Sequence, residues 1–158
     1  MATFALESNG RLEKTAIYFN GETLGGIKEV FLNLDEEGTF DAILQYEGTD
    51  RVLYTKQIFQ DYLENIKVVE PPFDEEEAEE LQLLEIESSG DIADTLVLYN
   101  GEELQGLISL FVHIKGAQSK NGIRAFFSGK KEVPEHVEFR ADFTFRNDDG
   151  TISEEGVF

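Results

Sequence analysis

Histidine is the side chain best suited to moving protons near neutral pH, and this chain has two, His113 and His136. Neither sits in a local signature joining a nucleophile to a base, so no Ser-His-acid arrangement can be read from spacing. His113 falls in an alternating run at a position matched by Asn33 earlier in the chain, which suits a structural or surface role. The 33 Asp and Glu residues are too many for any pair to stand out as an acid and its base. With no cysteine, thiol nucleophiles, thiolate metal sites and disulfides are all excluded. The expectation is a protein that is not an enzyme and carries no cofactor.

Two further stretches could hold a ligand. Gly25-Gly26 stands before a strand-like run rather than a helix, and neither GxGxxG nor GxxxxGK[ST] occurs, so no loop is aimed at a pyrophosphate. Asn147-Asp148-Asp149-Gly150-Thr151-Ile152 resembles the middle of a calcium-binding EF-hand loop, but the outer ligand positions fall on Phe145 and Gly156, which offer no side-chain oxygen. Asp149-Gly150 is therefore expected to be a hairpin turn.

Charge carries more information. The formal net charge is −20, with 19 acids and 6 bases in residues 1–80 and 14 acids and 7 bases in the remainder. Such a field repels nucleic acid and anionic membrane, whose phosphates require cations, and favours a basic partner. The densest acids are Asp74, Glu75, Glu76, Glu77, Glu79 and Glu80, a run that could take a cationic partner or serve only as a solvated connection. Lys115, Lys120, Arg124, Lys130 and Lys131 form an opposite island with no acid among them. That island offers self-association, by docking on the acids of another copy, or simply keeps sheet edges soluble.

The elements that position these residues come in two similar sets. Residues 6–34 recur as 86–114, with identical pairs at Glu7/Glu87, Ser8/Ser88, Gly10/Gly90, Thr15/Thr95, Asn20/Asn100, Gly21/Gly101, Glu22/Glu102, Leu24/Leu104, Gly26/Gly106 and Phe31/Phe111. Glycines, turn residues and apolar positions all stay in register, as expected of one duplicated structural unit. Each copy places Asn-Gly directly after a β-branched and aromatic run, a strong signal for a tight hairpin. In the strand that follows, Val30, Leu32 and Leu34 alternate with Glu29, Phe31 and Asn33, and the second copy repeats the pattern. One Phe thus stands in each polar row. A large aromatic there either packs into a second layer of core, the favoured reading, or anchors an interface, and Phe31 and Phe111 are the best candidates for a contact surface.

Past Leu34 the copies diverge. Phe40, Ala42 and Leu44 align with Ile123, Ala125 and Phe127 after a three-residue insertion. Residues Thr55 to Asn65 fit a short amphipathic helix, with Ile58 and Tyr62 four apart, and Val137 to Arg146 alternate as a half-buried strand. Two prolines and the acidic run mark a connection. The predicted fold is mainly β with minor α: tandem antiparallel modules at 1–70, with the short helix, and 81–158, joined by the acidic linker 71–80. A helical turn within Phe73 to Leu84 is also compatible, since acids favour a first turn.

The N-terminal residues lack the basic start and apolar stretch of a signal peptide, and no run approaches the ~20 apolar residues of a membrane helix, so a cytoplasmic protein away from membranes is expected. The leading functional expectation is a non-catalytic acidic interaction module that binds a basic protein. A sharper form is a DNA-mimic inhibitor of a nucleic-acid-binding enzyme, since at one charge per ~1.7 Å a net of −20 matches about ten base pairs. The alternative is a structural or assembly subunit, such as a phage-type virion or accessory protein.

Overall fold

The computed structural model describes residues 2–11, 14–116 and 138–158. It is mainly β: β1 (Ala2–Ser8), β2 (Thr15–Phe19), β3 (Glu22–Gly25), β4 (Ile27–Asp35), β5 (Phe40–Glu47), β6 (Leu53–Gln57), β7 (Lys67–Val68), β8 (Gln82–Ser88), β9 (Leu96–Tyr99), β10 (Glu102–Glu103), β11 (Leu107–Lys115), β12 (Glu138–Arg146) and β13 (Ile152–Gly156). Among the described residues an α-helical turn, α1 (Glu75–Ala78), and a 3-10 turn at Ile92–Asp94 accompany the strands. The strands form two antiparallel sheets. One runs β10-β9-β8-β1-β2-β3-β7, the other β13-β12-β11-β4-β5-β6.

Both sheets draw on both ends of the chain, because β1 pairs with β8 at the middle of one and β4 with β11 at the middle of the other. The linker 71–80 therefore divides the sequence without dividing the sheets. Apolar rows from the two sheets meet in one buried cluster: Phe4, Leu6, Leu84 and Ile86 from the first, Val30, Leu32, Leu44, Leu110, Val112 and Phe143 from the second. The alternation that reads as half-buried strands is the cause, since every second residue must leave water on one face only.

The registers are related by a two-fold operation. Ala5 faces Glu85 and Leu32 faces Val112, each residue opposite its own counterpart eighty positions on. Phe4 opposite Ile86 is mirrored by Leu6 opposite Leu84, and Phe31 opposite His113 by Asn33 opposite Phe111. Bulges recur too, at Lys28 and Ile108, whose carbonyls accept from Gly116 and Glu36 of the other half's strand.

Local chemistry follows the same relation. Asn20 and Gly21 (φ 51° and 85°) and Asn100 and Gly101 (φ 52° and 86°) make the two tight hairpin turns, both in the left-handed region that Asn and Gly tolerate. Each Asn also clamps the neighbouring strand: Thr3 N–H donates to Asn20 Oδ1 at 2.9 Å and Leu83 N–H to Asn100 Oδ1 at 2.8 Å. Buried Ser8 and Ser88 are satisfied alike, by Thr15 and Gly10 and by Thr95 and Gly90. At Gly26 and Gly106 a Cβ would meet Glu47 O at 2.5 Å or Arg146 O at 2.7 Å, so both positions require glycine.

Three expectations are corrected. The strand pairing with β11 as β5 pairs with β4 is β12, which places Phe139, Ala141 and Phe143 in the roles of Phe40, Ala42 and Leu44. Ile123, Ala125 and Phe127 lie outside the described residues, between β11 and β12. The alternating strand before Arg146 is thus a counterpart rather than an addition. Residues Thr55 to Asn65 form no helix: β6 pairs with β5 through Gln57, and Ile58 N–H donates to Ala42 O. Ile58 is buried while Tyr62 is 84% exposed, so the two do not share a face; ladder bonds satisfy this backbone before a helix could. The helical turn lies instead in the linker, where Asp74 Oδ1 caps α1 by accepting from Glu77 N–H at 2.8 Å. Finally, Phe31 and Phe111 are not part of the core cluster, because alternation turns them to the outer face.

Among the described residues no helix is long and apolar enough to cross a membrane.

Candidate functional site

At the centre of the six-stranded sheet, β4 and β11 present Phe31 and Phe111 side by side on the face away from the core. They are diagonal neighbours, because Phe31 lies opposite His113 and Phe111 opposite Asn33. Their rings meet edge to face, with centroids 5.7 Å apart and planes at 90°, and both are half-buried. An edge-to-face pair of this kind contributes about 0.5–1.5 kcal/mol beyond its buried area. The structure therefore brings together two residues singled out by sequence, but as a partnered surface cluster.

Polar neighbours complete the cluster. The His113 ring lies 5.8 Å from Phe31, and its Nε2 is 2.5 Å from Glu29 Oε2. Arg140 stacks its guanidinium 4.9 Å over the Phe111 ring while Nε donates to Asp142 at 2.8 Å. Asp41 and Asp142 flank the cluster on β5 and β12. Glu29 and Arg140 were not legible as site residues from sequence; only the antiparallel register sets them beside residues 84 and 29 positions away.

The acidic run is elsewhere. Asp74 and Glu75 to Glu77 build and cap α1, Glu77 pairs with Lys14 beside the seven-stranded sheet, and Glu75, Glu76, Glu79 and Glu80 carry exposed side chains. The structure does not bring this run to the aromatic pair. Lys115 lies opposite Glu29 on β11, whereas Lys120, Arg124, Lys130, Lys131 and His136 lie outside the described residues.

The EF-hand-like stretch is the β12–β13 turn. Asp149 caps it through Thr151 N–H and Oγ1, and Gly150 takes φ 85°. Those bonds hold the Asp149 carboxyl below its usual range. Among the described residues no group of three potential metal ligands assembles.

Compared with known proteins, the chain matches no family model, no curated sequence and no solved structure. Its function has to be argued from its own surface.

Proposed function

We propose that this is a non-catalytic interaction module that binds a basic protein. The observation that carries the reading is the outward aromatic pair Phe31–Phe111, on the two central strands of a sheet and flanked by Glu29, Asp41 and Asp142. Aromatic residues surrounded by charge are the composition of an interface centre with a polar rim. The net charge of −20 selects cationic partners by steering.

The described carboxylates occupy both outer faces, Glu7, Glu85 and Glu87 on one sheet and Glu29, Asp41 and Asp142 on the other. That spread supports a general preference for basic proteins more than imitation of one DNA duplex, whose phosphates would need a single continuous track.

Immobilised protein tests the reading. A specific partner retained from lysate at low salt should be released as salt rises, and should be lost from a Phe31→Ala/Phe111→Ala variant whose circular dichroism is unchanged. Retention indifferent to both salt and the two substitutions would overturn the proposal.

A further inference from the structure

The two halves of the seven-stranded sheet end differently. In the first half, β7 adds antiparallel to β3, with Val68 opposite Leu24 and Lys67 opposite Gly25, and Val69 N–H donates to Thr23 O at 2.9 Å. In the second half the counterpart of β3 is β10, and among the described residues β10 is the end strand, paired only with β9. Burial records the difference. Beneath β7, Thr23 is 8% and Leu24 7% exposed, whereas their counterparts Glu103 and Leu104 are exposed and half-buried.

Alongside β10 lies a cleft of about 270 Å³ between the sheets, lined by Leu34, Val97, Leu104 and Leu107, with Asp35 and Glu103 at its margin. Asp35 is engaged by its own turn, accepting from Glu37 and Thr39 N–H. Glu102 and Glu103 are exposed, on a strand edge that pairs with no other strand among the described residues.

We propose that the β10 edge is a strand-addition site, at which an extended segment of a partner protein pairs antiparallel with Glu102–Leu104 as β7 pairs with β3. The chain's own β7 states the chemistry required. With its flanking residues it reads Ile66-Lys67-Val68-Val69, one cation among apolar residues. An incoming strand of that pattern places an apolar side chain in the cleft and its cation opposite Gln105, diagonal to Glu103 on the same face, while its backbone pairs with the edge.

One position differs in a way that sets specificity. Val69 packs so closely on Gly25 that a Cβ there would lie 2.5 Å from Val69 Cγ1, and the counterpart of Gly25 is Gln105. The residue entering at the Val69 position, opposite Glu103 and diagonal to Gln105, must therefore be small. The expected ligand reads apolar, basic, apolar, small. This site is separate from the Phe31–Phe111 face and rests on the β7 precedent, so it stands or falls independently of the function proposed above.

The test titrates a capped peptide, Asn-Ile-Lys-Val-Ala-Glu, into the full chain and follows backbone amide shifts and hydrogen exchange. Saturable shifts and new protection confined to residues 102–107 are expected. The same peptide with Pro in place of Ala lacks the N–H that Val69 donates to Thr23 O in the β7 precedent, cannot donate to the ladder there and should produce neither. Glu103→Lys should weaken binding about fivefold, the size expected from loss of an exposed ion pair. Absence of shifts at millimolar peptide, shifts at residues 23–25 through displacement of β7, or a Glu103 amide already protected in the protein alone would each overturn the proposal; the Leu104 amide, which donates to Val97 O, is protected in either case.

Discussion

Single side chains tie the turns of this protein to pH. Asp50 accepts from Tyr54 Oη and Val52 N–H, Asp149 from Thr151, and Asp35 from Thr39 and Glu37, and each carboxyl is thereby held below its usual range. A carboxylate depressed in the folded state contributes stability above its unfolded pKa, and loses it as pH falls through the lower folded value. The thermal midpoint should accordingly fall between roughly pH 4 and pH 2. Asp50→Asn/Asp149→Asn should flatten that fall while leaving the midpoint less changed at pH 3 than at pH 7; a fall of unchanged steepness would remove these groups from the account. Tyr46 acts at the other extreme: burial, then the Glu64 charge, push it up to about 12, so neutral Tyr46 supports the fold until pH rises past 10.

Elements repeat with their connections adapted. The β5–β6 and β12–β13 turns share bonds: Gly48 N–H to Val52 O and Arg51 N–H to Gly48 O in the first, Asn147 N–H to Thr151 O and Gly150 N–H to Asn147 O in the second. Arg51 has φ 66° where Gly150 has φ 85°, so an arginine occupies a left-handed position that its counterpart gives to glycine. Gly150→Ala should cost about 1 kcal/mol, and Arg51→Gly should be neutral or stabilising, as relief of strain offsets added chain entropy. Urea denaturation of both variants measures this; equal destabilisation would show that φ is not the controlling term. The connection between paired strands differs most: residues 36–39 join β4 to β5, whereas 116–137 join β11 to β12. The basic residues Lys120, Arg124, Lys130 and Lys131 fall in that longer connection.

For the whole molecule, shared sheets imply shared stability. Each half contributes an inner row to both sheets, and the buried cluster spans them, so a fragment of residues 1–70 or 81–158 would expose half of every interface. Neither fragment alone should show a cooperative thermal transition, while the full chain should unfold in one. Calorimetry distinguishes this from tandem modules: a fragment that melts cooperatively by itself would show that the halves fold independently. High net charge lowers the stability of the compact form through self-repulsion, and added salt should therefore raise the midpoint of the full chain.

The local vocabulary of this protein was legible in its sequence because short-range physics determines it. Asn-Gly turns, the alternation of Val30, Leu32 and Leu34, the Asp149-Gly150 turn and the acidic connection depend only on backbone sterics and on period-two burial. The Thr55–Asn65 helix failed because ladder bonds to β5, made by residues distant in sequence, outcompete local periodicity. Residues 138–146 replaced 123–127 as the counterpart of β5 because β-pairing tolerates loops of very different length, and loop closure costs little more when a loop grows. The place of Phe31 and Phe111 was half legible: their polar row was plain, but only the β4–β11 register set them together beside Glu29 and Arg140. The open edge of β10 was legible in no single segment. It exists because β7 covers β3 and no described strand covers β10, and that is a property of the assembled sheet.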